Sequence, residues 1–254
     1  MSSIITSRLH QGLRTIPFPP EKCIVSDRLR GAPLLSSAPC PGDCRACLQA
    51  CPVEALSHDA EGVLQLDLGR CLFCGACRDA CPHGAIEFTT DYRLAVSRRE
   101  DLKMRGGEIR LASVLAEEIR RIFGRSLKVR QVSAGGCNGC EVDINVLSTT
   151  VYDLGRFGIQ IVASPRHADA LLVTGPVSEN MRLALLKTWE ATPAPKLVVA
   201  VGSCAISGGP FAGHEAVHNG VETLLPVDLF IPGCPPHPLT ILDGLLRLLK
   251  KRHA

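Results

Sequence analysis

Short apolar runs alternate with longer amphipathic segments over residues 107–254. A short apolar run bounded by glycine or polar residues is typical of a buried strand, and apolar residues three and four apart predict a helix. Strands that alternate with helices predict an α/β three-layer domain with a mainly parallel sheet. The predicted strands are LKVRQV, IQIVAS, ALLVTG, KLVVAVG and LFIPG, and the predicted helices are VDINVLSTTVYDLG, SENMRLALLKTWE and LTILDGLLRLLKK.

A further helix is predicted before the first of these strands, in the segment EIRLASVLAEEIRRIFG. Its apolar residues recur at helical spacing, and Gly124 provides a stop. Ser178 is placed to cap the helix that begins after it. The residues on the apolar face of the segment are Ile109, Ala112, Leu115, Ile119 and Ile122.

Two segments outside this domain show little periodic pattern. Residues 1–39 contain five prolines, which interrupt regular structure and predict an extended arm. Residues 93–106 are rich in arginine and end at a Gly-Gly pair, so they predict a solvated basic linker. Residues 40–92, between the arm and the linker, are expected to form a separate small domain.

Composition narrows the functions that the chain can have. The 254 residues are 46% hydrophobic and 21% charged, which indicates a globular protein. A net charge of +3 and an aromatic content of 4% give little support for binding nucleic acid. The first residues lack the pattern of a secretory leader, so none is expected, and no apolar run is long enough to span a bilayer. Because cytosolic thiols stay reduced, the clusters among the 13 cysteines are expected to be metal ligands rather than disulfides.

Eight cysteines lie in two similar halves, CPGDCRACLQACPVEAL and CLFCGACRDACPHGAIEF. The second half has the Cys-x2-Cys-x2-Cys-x3-Cys-Pro spacing of bacterial ferredoxins, in which three thiolates surround one [4Fe–4S] cluster. The first gap of the first half is one residue longer, and a turn at Pro41 and Gly42 would absorb the extra residue. Residues 40–92 therefore resemble a two-cluster bacterial ferredoxin of α+β type.

In this spacing the fourth cysteine of each half binds the cluster of the other half. A zinc site is the alternative, but zinc takes four ligands, usually as two pairs, and not two sets of four that each precede a proline. The predicted ligands are Cys40, Cys44, Cys47 and Cys81 for the first cluster, and Cys71, Cys74, Cys77 and Cys51 for the second.

The remaining cysteines point to a third site assembled by the fold. Cys137, Cys204 and Cys234 each follow a predicted strand, and the carboxyl ends of parallel strands are where ligands bind in open α/β sheets. Cys140 opens a predicted helix, whose amino terminus favours an anionic ligand such as a thiolate-bound cluster. Glycines in this loop would let the backbone approach the cluster: Gly135, Gly136 and Gly139.

Other interpretations of this region explain fewer residues. A thioredoxin-like CNGC pair needs only Cys137 and Cys140, and structural zinc suits isolated cysteines poorly. The segment GSCAISGG lacks the G-x-G-x-x-G spacing, so no nucleotide is expected. Cys23 has no partner in register and is expected to be a free thiol. Glu141 lies in the first turn of the predicted helix, where the helix dipole favours an acid whether or not it has a function.

Three motifs carry a specific resemblance: GGCNGCEVD, GSCAISGG and PGCPPHP. Over residues 107–254 the chain resembles the small subunit of membrane-bound, energy-converting [NiFe]-hydrogenases of the formate hydrogenlyase kind, and the quinone-proximal subunit of respiratory complex I. The complex I subunit usually has two adjacent cysteines at the first ligand position, whereas Cys137 and Cys140 are separated by two residues. This difference favours the hydrogenase side. The segments TIPFPP and RLRGAP and the ferredoxin part resemble the separate polyferredoxin subunit of the same complexes.

The resemblance implies a flavodoxin-like fold for residues 107–254 and an electron-transfer function for the chain. Three [4Fe–4S] clusters would relay electrons between a large catalytic subunit at the third cluster and an electron donor or acceptor at the ferredoxin domain. Glu141 becomes a candidate for a proton path. Contact with membrane subunits would be indirect, at the cytoplasmic face, and neither nucleic acid nor nucleotide is expected as a partner. The alternatives are a quinone-reducing module and a stand-alone ferredoxin-type carrier.

Overall fold

The computed structural model describes residues 3–20, 26, 28–42, 44–106, 109–112 and 126–249. The amino-terminal part contains α1 (Ile4–Gln11), β1 (Pro33–Leu35), α2 (Ala46–Ala50), β2 (Leu56–His58), β3 (Leu64–Asp67), α3 (Ala76–Ala80), β4 (Ile86–Phe88) and β5 (Lys103–Arg105). The carboxyl-terminal part contains β6 (Leu127–Ser133), α4 (Gly139–Val146), β7 (Ile159–Ile161), β8 (Ala170–Thr174), α5 (Glu179–Ala191), β9 (Leu197–Val201), α6 (Ser203–Ser207), β10 (Leu229–Ile231) and α7 (Pro238–Leu249).

The carboxyl-terminal strands form one parallel sheet in the order β10-β9-β8-β6-β7. In chain order this is 2-1-3-4-5, the flavodoxin-like arrangement. Every residue of β8, β9 and β10 is buried, which is why these strands occur as continuous apolar runs in the sequence. The five predicted strands and the flavodoxin-like fold are confirmed.

The two faces of the sheet are covered by different parts of the chain. Helices α4 and α7 cover one face, where Ala170 and Leu172 of β8 point. Helices α5 and α6 cover the other face, beside Leu171 and Val173. Apolar residues of the ferredoxin part, such as Leu68, belong to this second core as well. The ferredoxin part therefore acts as part of the outer layer on one side of the sheet.

The three helices predicted after β6 are present with changed ends. Ser178 occupies the N-cap position of α5, but its side chain makes no capping hydrogen bond. The segment predicted as one helix from Val142 is divided into α4 and a 3-10 turn at Leu154–Phe157. Asp153, between them, has a φ of 47°, which a continuous helix does not allow. In the segment predicted as a helix ahead of β6, residues 109–112 are not helical, which corrects the prediction there, and residues 113–124 lie outside the described residues.

The ferredoxin part repeats its local structure as the sequence repeat predicts. Strand β1 pairs antiparallel with β4, and β2, β3 and β5 form a second antiparallel sheet. Helices α2 and α3 end at equivalent cysteines with nearly identical backbone angles: Cys51 has φ −83° and ψ 113°, and Cys81 has φ −82° and ψ 110°.

The extended arm and the solvated linker are the predictions that need correction. The arm contains α1 and β1. In the segment expected to be a linker, β5 pairs with β3, and Val96 forms an antiparallel bridge with Phe230 at the edge of the large sheet. Ala95, Val96 and Leu102 are fully buried. The arginines suggest a solvated segment, but the apolar residues between them pack against both parts of the chain. None of the described helices is long and apolar enough to cross a membrane.

Candidate iron–sulfur sites

The two cysteines at the ends of α2 and α3 sit in matching environments. The backbone N–H of Ala55 donates a hydrogen bond to Sγ of Cys51 at 3.3 Å, and that of Ala85 donates to Sγ of Cys81 at the same distance. A third such bond runs from the N–H of Phe73 to Sγ of Cys71, also at 3.3 Å. Amide donors aimed at sulfur stabilise a thiolate, the form in which cysteine binds iron.

Cys51 and Cys81, which end the two short helices, each lie beside the cysteines of the opposite half of the repeat. The pKa of Cys47 is raised to about 11, first by burial and then by the neighbouring thiols of Cys81 and Cys40. Burial also raises the pKa of Cys40, with Cys44 and Cys81 as the next causes. Cys81 thus lies with the three cysteines of the first half.

The second set shows the same exchange. Burial is the main cause that raises the pKa of Cys71 to about 12. The hydrogen bond from the N–H of Phe73 lowers this pKa, and the thiols of Cys77, Cys51 and Cys74 raise it further. Cys51, from the first half, is therefore among the cysteines of the second half. The thiol of Cys77 also acts on Cys47, so the two sets are neighbours.

The longer first gap is accommodated by a local turn. Gly42 has a φ of 56°, in the left-handed region that glycine adopts most readily. The N–H of Cys40 donates to the carbonyl of Gly62 at 3.1 Å, which ties the loop to the β2–β3 hairpin. Asp43, the remaining residue of the gap, lies outside the described residues, as does Cys23.

The third set converges from four separate positions at one edge of the sheet. Cys137 follows β6, Cys204 lies in α6 directly after β9, and Cys234 follows β10. Cys140 lies in the first turn of α4. Burial raises the pKa of Cys140, and Glu141 and the thiols of Cys204, Cys234 and Cys137 raise it further. The four thiols predicted to form a third site therefore lie together at the carboxyl edge of the sheet.

Two further glycines, Gly202 and Gly209, create space around these thiols. A Cβ on Gly202 would lie 2.5 Å from Sγ of Cys140, and a Cβ on Gly209 would lie 2.8 Å from Sγ of Cys204. Both have positive φ, 89° and 55°. Of the glycines that were predicted, Gly139 does face a thiol, with its Cβ position 3.6 Å from Sγ of Cys137.

The other two predicted glycines serve a different contact. A Cβ on Gly135 would meet the side chain of Ser178 at 2.6 Å, and one on Gly136 would lie 3.1 Å from Cα of Gly175. These glycines let the β6 and β8 loops approach each other, which shapes the floor of the site. The repeated glycines in GSCAISGG were the available signal for Gly202 and Gly209.

Glu141 is buried at the third site, with 5% of its surface exposed. Its Oε1 accepts hydrogen bonds from the hydroxyls of Ser133 at 2.6 Å and Thr174 at 2.7 Å. These residues end β6 and β8, the strands on either side of the point where the strand order reverses. An exposed acid attracted by the helix dipole would not need two buried donors, so the dipole interpretation of Glu141 is insufficient.

The donor sets fit iron–sulfur clusters. Within the described residues, no group of three or more His, Cys, Asp or Glu side chains is close enough to hold one metal ion. One zinc ion keeps its thiolates about 3.8 Å apart because each Zn–S bond is about 2.3 Å. In a [4Fe–4S] cluster each thiolate binds a different iron, so the sulfurs are spread more widely. Sulfur-directed N–H groups and glycine-lined space around the thiols suit such a cluster.

Cys74 connects the second set to the third. Its thiol contributes, after burial and Cys137, to the raised pKa of Cys234. The second set is thus a neighbour of both the first and the third. A two-cluster ferredoxin part joined to a flavodoxin-like domain with a cysteine-lined edge defines an iron–sulfur protein.

Comparison with known proteins gives the family. Residues 137–248 match the family described as NADH ubiquinone oxidoreductase, 20 Kd subunit, and residues 40–85 match the 4Fe-4S dicluster domain. The chain belongs to the 20 Kd subunit family and carries the dicluster domain ahead of it.

Three relatives illustrate the family. Formate hydrogenlyase subunit 7 of Escherichia coli is 44% identical over 139 residues, covering 55% of this chain and 54% of the relative. The probable membrane-bound hydrogenase subunit mbhJ of Pyrococcus furiosus is 42% identical over 134 residues, covering 53% and 80%. An NADH-quinone oxidoreductase subunit of Bacteroides thetaiotaomicron is 44% identical over 113 residues, covering 44% and 57%. The chain thus spans little more than half of the first and third relatives.

Proposed function

We propose that the chain is the iron–sulfur electron-transfer subunit of a multi-subunit oxidoreductase and holds three [4Fe–4S] clusters. Electrons would pass between a hydrogenase-type catalytic subunit at the third site and a redox partner at the ferredoxin part. The observation that carries the proposal is the adjacency of the three cysteine sets. The hydroxyl of Ser203, the residue before Cys204, lies 2.6 Å from the carbonyl oxygen of Cys71, and the thiols of Cys77 and Cys74 raise the pKa values of Cys47 in the first set and Cys234 in the third.

The chain's own residues bind, space and shield the redox groups. The clusters, when bound, supply one-electron chemistry. Buried Cys47, Cys71 and Cys77 keep water from the centre of the ferredoxin part, and the N–H groups aimed at sulfur stabilise the charge of the bound thiolates. Glu141, held by two hydroxyls, fixes α4 against the ends of β6 and β8. We keep Glu141 as a candidate for accepting a proton beside the third site.

The third site also has the surface that a large partner would cover. Cys137 and Cys234 are exposed, and Phe211, just after the Cys204 helix, is 48% exposed. A cluster ligand open to water and a large apolar ring beside it indicate a surface that is covered in a complex. We propose that the large catalytic partner docks here, and that membrane subunits are reached only through such partners, at the cytoplasmic face.

The metal content is the first test. Protein purified without oxygen is expected to contain about 12 iron, and as much acid-labile sulfide, per chain, because twelve cysteines form three sets of four. Iron, sulfide and zinc are measured together on the same sample. About eight iron with one zinc would contradict the third cluster, whereas iron without sulfide would contradict clusters altogether.

The relay is tested by Cys74→Ser in the intact complex. We expect the large subunit to stay attached, since Cys74 belongs to the ferredoxin part, while electron flow to an external carrier is lost. Cys23→Ser is the control, because Cys23 belongs to none of the three sets and its loss is expected to change nothing. Normal electron flow in the Cys74 variant would show that the ferredoxin part is not on the path.

A quinone-reducing module is the second candidate, since the relatives include an NADH-quinone oxidoreductase subunit. Nickel in the co-purified large subunit would support the hydrogenase function. Quinone reduction by a nickel-free complex would support the second candidate. A stable monomer that purifies without any partner would instead support a stand-alone carrier.

A further inference from the structure

Ser203 is a buried side chain that joins the second cysteine set to the third. It is 1% exposed, and its hydroxyl lies 2.6 Å from the carbonyl oxygen of Cys71 and 3.1 Å from that of Gly233. A hydroxyl has one hydrogen, and the carbonyl of Gly233 already accepts the N–H of Ser203 at 2.9 Å. The hydroxyl proton therefore goes mainly to the carbonyl of Cys71.

The three residues in this contact belong to the proposed cluster sites. One is a proposed ligand, and each of the other two directly precedes one. Cys71 belongs to the second set. Ser203 directly precedes Cys204, and Gly233 directly precedes Cys234, both of the third set. One hydroxyl thus spans the boundary between the two sites through a direct hydrogen bond.

A second serine strengthens the same contact. Ser207 lies one helical turn after Ser203 on α6, and its hydroxyl lies 2.9 Å from the carbonyl oxygen of Gly69 and 3.1 Å from that of Ser203. Ile206 packs against the same loop, since a Cβ on Gly69 would lie 2.8 Å from its Cγ2. Helix α6 therefore holds the loop of residues 69–71 at both ends.

The loop is also fixed from its other side. Asp67 accepts the N–H of Gly69 at 2.9 Å, and Arg99 forms a salt bridge with Asp67 at 2.6 Å. Both charged side chains are largely buried, so water screens this salt bridge less than it would an exposed one. These contacts fix residues 67–69, whereas the hydroxyl of Ser203 bonds to the carbonyl of Cys71, the cysteine itself.

We propose that Ser203 is a positioning residue that fixes the gap between the second and third cluster sites through its hydrogen bond to the carbonyl of Cys71. This inference rests on the proposed three-cluster relay and specifies the contact that sets one of its steps. In that step one electron leaves the site of Cys71 and enters the site of Cys204, and no bond forms or breaks. The rate of such a step depends on the gap between the sites and on its packing.

The experiment compares Ser203→Ala, Ser203→Thr and the control Thr192→Val in the intact protein. Thr192 is a buried residue whose hydroxyl donates to the carbonyl of Thr188, in a local contact at the end of α5. The readouts are iron content, the spin–spin splitting between the second and third sites in the electron paramagnetic resonance spectrum of the reduced protein, and the rate of electron flow. Splitting reports the gap directly and does not depend on a catalytic partner.

Ser203→Ala is expected to keep its iron, because all twelve ligands remain, but to show a weaker splitting. Electron flow should fall roughly 10-fold, as is common when an outer partner of a metal ligand is removed. Ser203→Thr keeps the hydroxyl and should retain the splitting, as should Thr192→Val. Unchanged splitting and flow in Ser203→Ala would overturn the proposal.

If Ser203→Ala fails to load iron, the iron content of Ser203→Gly is measured as well. Glycine leaves room for a water molecule that can satisfy the carbonyl of Cys71. Failure of both variants to load would mean that Ser203 acts in folding, which also overturns the proposal. A wild-type protein with about eight iron would contradict the three-cluster function itself, before Ser203 is tested. The two failures are therefore distinguishable.

Discussion

Gly202→Ala is expected to remove the third cluster while both ferredoxin clusters remain. The added Cβ would lie 2.5 Å from Sγ of Cys140, too close for the thiol to keep its position. Gly202 also has φ 89° and ψ 156°, a conformation that is essentially restricted to glycine and costs other residues about 1–3 kcal/mol. Iron should fall from about 12 to about 8 per chain. Metal analysis and the loss of one reduced-cluster spectrum measure the effect.

Gly213→Ala separates the two causes. Gly213 has a similar φ of 83°, but a Cβ there would meet nothing within 4 Å. We expect this variant to lose some stability through backbone strain and to keep all of its iron. Equal iron loss in both variants would show that backbone strain, and not the crowding of Cys140, damages the site. Full iron content in Gly202→Ala would contradict the assignment of Cys140 as a ligand.

These two variants illustrate what the sequence could and could not predict. The proposed ligands of the ferredoxin part come from local spacing, and the proposed third set comes from cysteines placed after predicted strands. The role of Gly202 depends on its distance from Cys140, which comes from another loop. No pattern within GSCAISGG specifies that distance, because it arises when β6 and β9 are placed in one sheet.

Glu141 and the segment of Ala95 and Val96 show the same limit. An acid in the first turn of a helix has an ordinary explanation in the helix dipole, and only the positions of Ser133 and Thr174 reveal a buried carboxylate with two donors. Residues 93–106 were predicted to be solvated because of their arginines. Val96 is buried because its bridge to Phe230 extends the sheet, a pairing between residues far apart in the chain.

Burial of this segment bears on how the relay is built. If a flexible linker joined the two parts, the distance between the second and third sites would vary from molecule to molecule. Here the ferredoxin part shares a hydrophobic core with α5 and α6. The chain therefore holds its proposed second and third sites in one packed unit, and the short contacts of Ser203 and Ser207 lie within it.

Cys81→Ser and Cys51→Ser form a matched pair that tests the exchange of ligands between the two ferredoxin halves. Each variant loses one sulfur at the end of a short helix, and each sulfur accepts one backbone N–H at 3.3 Å, so the local losses are equal. Both should lose about four iron per chain. The variants should differ in which cluster disappears, because Cys81 lies with Cys40 and Cys47 whereas Cys51 lies with Cys71 and Cys77.

The spin–spin splitting between the second and third sites identifies the missing cluster. Cys81→Ser removes the first cluster and leaves the second and third in place, so the splitting should persist. Cys51→Ser removes the second cluster, so the splitting should vanish together with it. The reverse result would mean that each half binds its own fourth cysteine. That outcome would leave the count of three clusters intact and overturn only the exchange of ligands between the halves. The second site remains the neighbour of the third in either case, because this relation depends on Cys74 and Cys234 and not on Cys51 or Cys81.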